Sequence, residues 1–241
     1  MGRVARIVVL ALAVVSAGLV AQPAWAEPPL PSSMAAIGDS ITRAYDVCCS
    51  YGDHPGQSWS TGSTGYDGIT SHYERIRQLN PAITGRAYNN AVSGTKMSAA
   101  PTQAEKAVSQ GARYVTILLG ANDLSTSSPS TMTPPEDLRA QFSQAMATLM
   151  AQGRAPYLPV DAGCHQHRHP TPAGGGSGGG VQPDPGPRVR QVPRWRWDGG
   201  AVYNYQFSAS QVSSLDFFHP SLSGQAALAR VTWGASWWPS S

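Results

Sequence analysis

The sequence predicts an α/β fold built on a parallel sheet with helices on both faces. Three short apolar runs, at residues 34–37, 87–92 and 114–119, each end in a turn that contains glycine. Short apolar runs bounded by such turns are typical of buried strands. Segments with helical patterning lie between the runs, and strands that alternate with helices along a chain form parallel sheets.

Four segments are predicted to form the helices. The segment 135–150 begins with Pro135, which suits the first turn of a helix because the N–H groups of that turn have no helical acceptor. Glu136 and Asp137 follow it, and acidic side chains there complement the positive end of the helix dipole. The other predicted helices are residues 71–79, 102–110 and 223–233.

The first 26 residues have the features of a secretory signal peptide. Arg3 and Arg6 precede an apolar run at residues 7–20, and Ala24 and Ala26 supply the small-x-small pattern of a cleavage site. The run is short for a membrane span, which needs about 20 apolar residues. We expect cleavage after Ala26 and an extracellular protein, with an N-terminal membrane anchor as the alternative.

The mature chain, residues 27–241, is predicted to be a single domain and a monomer. Its 215 residues are enough for one sizeable core. It holds 15 basic and 14 acidic residues, and this balance gives no reason to expect nucleic acid as a partner. Export permits disulfides, but the pairing of Cys48, Cys49 and Cys164 stays open. The neighbours Cys48 and Cys49 would be strained if they were joined to each other.

Residues 163–196 interrupt the alternation of strands and helices. Their 34 positions include eight glycines and six prolines, and no Ile, Leu, Met, Phe or Tyr. This composition buries too little apolar surface to offset the entropy of ordering the segment. The segment is either an insertion or a stretch read in another frame. A fourth strand is therefore expected only as a remnant, at residues 157–160.

Histidines outside the C-terminal region are predicted to have no chemical role. His165, His167 and His169 alternate as metal ligands on a strand can, but no cluster of carboxylates supports a metal site there. Neither His54 nor His72 has a convincing acidic partner nearby, and we expect both on the polar surface. The sequence thus predicts neither a metal nor a cofactor.

A small or polar residue follows each of the three predicted strands. Ser40 comes after the first, in a turn predicted to open a helix, whose first N–H groups can face an anion. Gly94 follows the second strand, and without a Cβ its N–H can approach a substrate closely. Asn122 follows the third, with a side-chain amide that can donate to the same oxygen. The carboxyl ends of parallel strands share one edge, so we expect these residues to meet there.

A base for the serine is found near the C-terminus. Asp216 and His219 are three residues apart, so one turn can present both side chains together. His219 would take the proton of a serine hydroxyl, and Asp216 would fix the tautomer of the imidazole and stabilise its protonated form. With Ser40, the two residues complete the nucleophile, base and orienting acid of a hydrolase.

Each pattern by itself is also typical of ordinary structure. A Gly-Asp-Ser turn, an Asn at a strand end and an Asp-x-x-His before Pro220 all occur in turns without chemistry, and Gly94 is compatible with simple tight packing. Their occurrence in one order, each at a predicted strand end or beside a candidate base, favours an enzyme.

These motifs resemble those of a known family, the GDSL/SGNH hydrolases. The similarity covers about residues 34–150 and 197–238, and the stretch 58–62 resembles secreted actinobacterial members in particular. The four matching blocks are Gly38-Asp39-Ser40, Gly94, Gly120-x-Asn122-Asp123 and Asp216-x-x-His219.

The resemblance implies a role for each site residue. Ser40 would be the nucleophile, His219 its base and Asp216 the partner of the base. The N–H groups of Ser40 and Gly94 and the side chain of Asn122 would form the oxyanion hole. The fold implied is a three-layer α/β/α sandwich of the flavodoxin-like kind with about five strands, and no metal or cofactor is needed.

We therefore predict a secreted carboxylic ester hydrolase, an esterase or lipase that acts through a serine acyl-enzyme. Its expected substrates are small-molecule or lipid esters, and we expect no stable insertion into a membrane. Deacetylation of a polysaccharide such as xylan is a narrower alternative. An inactive secreted remnant or binding protein is the alternative from another class, and the central segment is the feature that favours it.

Overall fold

A computed structural model of the chain describes residues 29–151, 160–161, 207–234, 236 and 238. Within these residues, four parallel strands form one sheet in the order β2-β1-β3-β4. The predicted signal peptide, the segment 163–196, Cys164 and the three neighbouring histidines lie outside the described residues. The strands are β1 Met34–Gly38, β2 Ala87–Asn89, β3 Tyr114–Leu118 and β4 Val160–Asp161.

Five α-helices lie in the described part of the chain, and four of them correspond to the four predicted segments. The fifth, α3, is a single turn directly after β3. The helices are α1 His72–Leu79, α2 Ala100–Ser109, α3 Ala121–Leu124, α4 Pro135–Met150 and α5 Leu222–Gly234. Short 3-10 turns are Pro55–Gln57, Pro81–Ile83, Met97–Ala99, Pro129–Thr131 and Ala209–Gln211.

Helices cover both faces of the sheet because neighbouring side chains of a strand point to opposite faces. On one face, Ile37 of β1 belongs to a buried cluster that includes alanines of α2 and Leu149 of α4. On the other face, Met34 lies in a cluster with Tyr73 of α1 and Trp233 of α5. This is a three-layer α/β/α sandwich, which confirms the predicted fold class.

The second strand is shorter than the predicted run of residues 87–92. It ends at Asn89, although the backbone continues beside β1, where Val92 N–H donates to Gly38 O (3.1 Å). The chain then turns, and Gly94 takes a left-handed conformation with φ of 79°, which glycine adopts without strain. The residue predicted to follow the strand is thus held next to the end of β1.

The segment after β1 corrects one prediction, because it is not the start of a regular helix. Residues 40–46 form consecutive turns. Tyr45 N–H donates to Ser40 O (2.9 Å), and Ala44 and Asp46 both have φ of 51°. Residues in the left-handed region do not continue a right-handed helix, so the chain reverses soon after Ser40.

His72 corrects a second prediction, because it lies in the core and not on the surface. Its side chain is fully buried. Thr232 Oγ1 donates to Leu228 O (2.6 Å), so it accepts from His72 Nε2, which is also 2.6 Å away. His72 Nδ1 is then free of a proton and accepts from the hydroxyl of Tyr114. Burial lowers the pKa of His72 to about 3, with a smaller effect of Arg75, so the imidazole is neutral.

The fourth strand is present as two residues at the edge of the sheet. Ile117 and Leu118 of β3 pair with Val160 and Asp161, which places β4 at the end of the predicted remnant. Within the described part of the chain, no helix is long and apolar enough to cross a membrane.

Candidate active site

Three of the predicted residues form a chain of hydrogen bonds at the carboxyl edge of the sheet. Ser40 Oγ lies 2.8 Å from His219 Nε2. His219 Nδ1 donates to Asp216 Oδ2, and a neutral imidazole that donates through Nδ1 has an unprotonated Nε2. His219 is therefore oriented to accept the proton of the Ser40 hydroxyl.

The Asp216 carboxylate is held by its own turn. Its Oδ1 accepts from the N–H groups of Phe218 (2.9 Å) and His219 (3.0 Å). Partial burial raises the pKa of Asp216, but hydrogen bonds from the His219 side chain and from these two N–H groups outweigh it and hold the pKa below its ordinary value. The group stays ionised and stabilises a positive charge on the imidazole.

The loop 213–219 is closed on itself and attached to the turn after Ser40. Ser213 N–H donates to His219 O (2.7 Å), and Ser213 Oγ donates to Asp46 O (2.5 Å). The ring centroid of Tyr45 lies 5.1 Å from that of His219. Two segments more than 160 residues apart in the sequence are thus joined beside the base.

Helix α5 also binds the nucleophile turn, through one buried amide. Gln225 Nε2 donates to Ile41 O (2.9 Å), and Gln225 Oε1 accepts from Trp59 N–H (2.9 Å). Both contacts hold the segment after β1 against the helix that follows His219. The Ser40–His219 distance is therefore set by contacts on both sides of the pair.

Gly38, two residues before Ser40, is fixed by its surroundings. The amide of Gln103 in α2 both accepts from Gly38 N–H (2.8 Å) and donates to Gly38 O (3.0 Å). A Cβ at this position would lie 2.3 Å from Thr42 Oγ1 and 3.0 Å from Leu118 O. Only glycine fits the end of β1 here without displacement of the turn.

Asn122 lies in α3 and reaches towards the loop of Gly94. Its Nδ2 donates to Thr95 O (2.9 Å), which uses one of the two N–H bonds of the amide. Within the described residues, the N–H groups of Ser40 and Gly94 donate to no acceptor. The site thus offers three N–H donors that no acceptor among the described residues uses, from the loops after β1, β2 and β3.

Asp53 links two of these loops, and the sequence motifs gave no indication of it. Its Oδ2 accepts from Arg43 Nε (2.8 Å), and its Oδ1 accepts from Ser93 Oγ (2.5 Å). Arg43 belongs to the turn after Ser40, and Ser93 precedes Gly94. Asp53 therefore holds the second loop against the nucleophile turn.

Two buried carboxyl groups beside the predicted residues were also missed. Asp39 precedes Ser40, and its Oδ1 accepts from Ile41 N–H (3.0 Å). Asp123 follows Asn122, and its Oδ2 accepts from Met97 N–H (2.8 Å). The second oxygen of each carboxyl is buried and has no hydrogen-bond partner within the described part of the chain. Adjacency to the motif residues was the one available signal, and it does not reveal burial.

Other features surround the site without taking part in the hydrogen bonds described above. Phe217 is 79 % exposed and has φ of 56°, and its neighbour Phe218 packs edge-to-face on His219 at 5.0 Å. Within the described residues, Cys48 and Cys49, on the loop after the nucleophile turn, form no disulfide. In the part of the chain that the structure describes, no group of three His, Cys, Asp or Glu side chains is placed to hold a metal.

A hydroxyl in contact with a base, an acid that orients the base and unused N–H donors are the groups that acyl transfer requires. Fold and site together define the protein class as a hydrolase on an α/β/α sandwich. Residues 34–159, just over half of the chain, match the family described as GDSL-like Lipase/Acylhydrolase. The chain belongs to this family.

One solved structure, that of TesA, agrees with this fold. The crystal structure of TesA is similar with a TM-score of 0.50 at 18 % identity, over 84 % of this chain and 97 % of TesA. The psychrotrophic esterase EstA from Pseudoalteromonas sp., solved with monoethylphosphonate as inhibitor, has a TM-score of 0.35 at 17 % identity. That match covers 53 % of this chain and 58 % of EstA. Comparison with curated proteins gave no match.

Proposed function

We propose that the protein is a secreted carboxylic ester hydrolase that works through an acyl-enzyme on Ser40. The 2.8 Å contact between Ser40 Oγ and His219 Nε2 carries the proposal. A serine hydroxyl becomes an effective nucleophile when an adjacent base takes its proton. Membership of the lipase/acylhydrolase family supports an ester as the substrate.

In the first half of the reaction, Ser40 Oγ attacks the ester carbonyl while its proton passes to His219 Nε2. Asp216 stabilises the imidazolium that forms. The carbonyl oxygen becomes negative and accepts hydrogen bonds from the N–H groups of Ser40 and Gly94 and from the second N–H of the Asn122 side chain. Donors aimed at developing charge stabilise the transition state more than the bound substrate.

The first half ends when His219 gives its proton to the departing alcohol, which breaks the ester bond and leaves the acyl group on Ser40. In the second half, the acyl group is released from Ser40. Water then attacks the acyl-enzyme, and His219 takes the proton of that water. The tetrahedral species collapses, the carboxylic acid departs and Ser40 regains its proton.

Small-molecule or lipid esters are the proposed substrates. The exposed ring of Phe217, two residues before His219, offers apolar surface on the loop that carries the base. Contact with an acyl chain would cover this surface, which otherwise faces water at a cost. Deacetylation of a polysaccharide would use the same chemistry, and a panel of esters with rising acyl length distinguishes the two.

Labelling with a fluorophosphonate tests the proposal directly. We expect one adduct on the peptide that contains Ser40, located by mass spectrometry, and its loss after heat denaturation. Ser40→Ala should abolish the label and lower kcat for ester hydrolysis by about 10³-fold or more while the cooperative melt is kept. A folded wild-type protein that neither labels nor hydrolyses esters would contradict the proposal, and would agree with an inactive remnant.

Secretion is proposed from residues 1–26 and has its own test. Cleavage after Ala26 gives a mature protein that begins at Glu27. N-terminal sequencing of protein collected from the culture medium should find this start. Recovery of the protein only in the cell fraction, with residues 1–26 still attached, would contradict secretion.

A further inference from the structure

Asp39 is a buried acid for which the reaction described above has no use. Its side chain is 1 % exposed, and its peptide bond to Ser40 supplies one of the proposed oxyanion donors. Among the described residues, Oδ1 alone has a hydrogen bond to another residue, from Ile41 N–H (3.0 Å), while Oδ2 is buried with none. In the described part of the chain no Lys or Arg pairs with it. A carboxylate in such a place would be an uncompensated buried charge.

A second acidic group, Asp123 of α3, also acts on Asp39. Asp123 is fully buried, its Oδ1 has no hydrogen-bond partner among the described residues, and its charge raises the pKa of Asp39. Around the same turn, α2 contributes the neutral amide of Gln103, and the imidazole of His219 lies on the far side of Ser40. Burial is thus the main effect that opposes ionisation of Asp39, and the charge of Asp123 adds a smaller effect in the same direction.

Resting on the proposed function, we infer that Asp39 is a positioning residue that works as a neutral carboxylic acid. Its proton removes the unpaired charge at Oδ2, and the Asp39 Oδ1 contact still holds the turn at Ile41. The neutral form also places no negative charge beside Ser40, whose N–H would bind the developing oxyanion of the substrate. Loss of this proton then slows the attack of Ser40, because like charges oppose each other strongly in a site shielded from water.

The electrostatics of the site agree with this assignment. Burial raises the pKa of Asp39 to about 7, against lowering by the N–H groups at the turn, and the charge of Asp123 raises it further. The protonated form therefore dominates below neutral pH. Above about pH 7 the charged form of Asp39 dominates.

The pH profile of Asp39→Asn tests the inference. Asparagine keeps an oxygen for Ile41 N–H and carries no charge at any pH. For a soluble acetyl ester, we expect wild-type kcat/KM to fall above about pH 7 as Asp39 ionises. In Asp39→Asn this decline should be absent, so the ratio of kcat/KM at about pH 9 to that at about pH 7 rises about tenfold or more over the wild-type ratio.

Two further variants separate this role from a structural one. Asp123→Asn keeps an acceptor for Met97 N–H but removes the charge, so Asp39 loses its proton more readily and the decline moves to lower pH. Asp67→Asn is the matched control: Asp67 Oδ1 accepts from Ile69 N–H (2.9 Å) in the same i to i+2 arrangement, but at a partly exposed site. Its profile should keep the wild-type shape.

Unfolding gives a readout that needs no activity. Burial opposes the charge on Asp39 in the folded protein but not in the unfolded chain, so wild type loses stability as pH rises between the two pKa values. The variant Asp39→Asn has no such loss. Its free energy of unfolding minus that of wild type should therefore grow between about pH 4 and about pH 7. An equal loss of kcat/KM at every pH, with no growth of this difference, would overturn the inference. Absence of fluorophosphonate labelling at Ser40 would instead overturn the proposed function and leave the unfolding result to decide on Asp39.

Discussion

At the scale of single residues, the side-chain amide of Asn122 has two roles: a structural hydrogen bond and a proposed contact with the oxyanion. One N–H bond of Nδ2 is directed to Thr95 O, which fixes the direction of the other. An amide already tied to the loop of Gly94 does not need to reorganise when the oxyanion forms, and such preorganised donors are the effective ones.

Asn122→Ala should lower kcat by about 10²–10³-fold with a smaller effect on KM, because the lost donor acts mainly in the transition state. Steady-state kinetics on a soluble ester measure this. Asn89→Ala is the control. In contrast to Asn122, the Asn89 amide uses both of its N–H bonds within the protein, to Thr42 O and Thr61 Oγ1, each at 3.0 Å. Equal losses of kcat in both variants would show that Asn122 acts only through structure.

The sequence allowed the motif residues to be assigned but not their environments. Ser40, Asp216 and His219 were predicted to meet because strand ends and a short C-terminal turn have few other arrangements. Asp39 stands inside the same motif, yet its burial is set by tertiary packing that the motif does not reveal. His72 was placed on the surface for the same reason, since its partners Tyr114 and Thr232 are distant in the chain.

At the scale of elements, the loop before His219 contains a strained residue. Phe217 has φ of 56°, a conformation that costs a residue with a Cβ about 1–2 kcal/mol. The N–H of Phe217 donates to Ser213 O (3.0 Å), and this bond closes the turn that carries Asp216. The strain is therefore maintained by the same turn that orients the acid.

Phe217→Gly should raise the free energy of unfolding by about 0.5–1 kcal/mol, because glycine adopts this φ without strain but loses more entropy on folding. Denaturant unfolding measures the change. Tyr66 is the control: it is also exposed with φ of 64°, so Tyr66→Gly should give a similar gain. A loss of stability in Phe217→Gly alone would mean that the Phe217 ring makes contacts that offset the strain.

Elements with strong local signals were predicted well, and those set by tertiary contacts were not. Helix α4 has the predicted bounds because Pro135 and the acids after it mark its start. The turns after Ser40 were expected to be a helix, but Gln225 and Asp46 attach this segment to distant residues and impose left-handed positions. Local pattern carries no information about such contacts.

At the scale of the whole molecule, His72 joins three elements through its two ring nitrogens. The imidazole lies in α1, its Nδ1 meets Tyr114 of β3 and its Nε2 meets Thr232 of α5. The pKa of about 3 in the folded protein is lower than the ordinary value of 6.5. The unfolded chain therefore binds the extra proton first, and the contribution of His72 to stability is lost as pH falls below about 6.5.

We expect the free energy of unfolding to fall through this group by up to about 1.4 kcal/mol per pH unit between about pH 6 and pH 4. Asp39 has the opposite sign in the same range, since its pKa is raised on folding. The measurement is therefore made in the Asp39→Asn background, by denaturant unfolding at several pH values. His72→Gln, which has no titration, should have a flatter profile there, and an unchanged slope would contradict the assignment.

The order of the strands has a consequence for access to the site. The connection after β1 leads to β2 on one side of the sheet, whereas the connection after β3 leads to β4 on the other side. The direction of the connections therefore reverses between the neighbouring strands β1 and β3. A crevice opens at such a switch point in a parallel sheet. Ser40 lies at that crevice, at the end of β1. The donors of Gly94 and Asn122 follow β2 and β3, the strands on either side of β1. The mouth of the site is thus a product of topology, present before any substrate arrives.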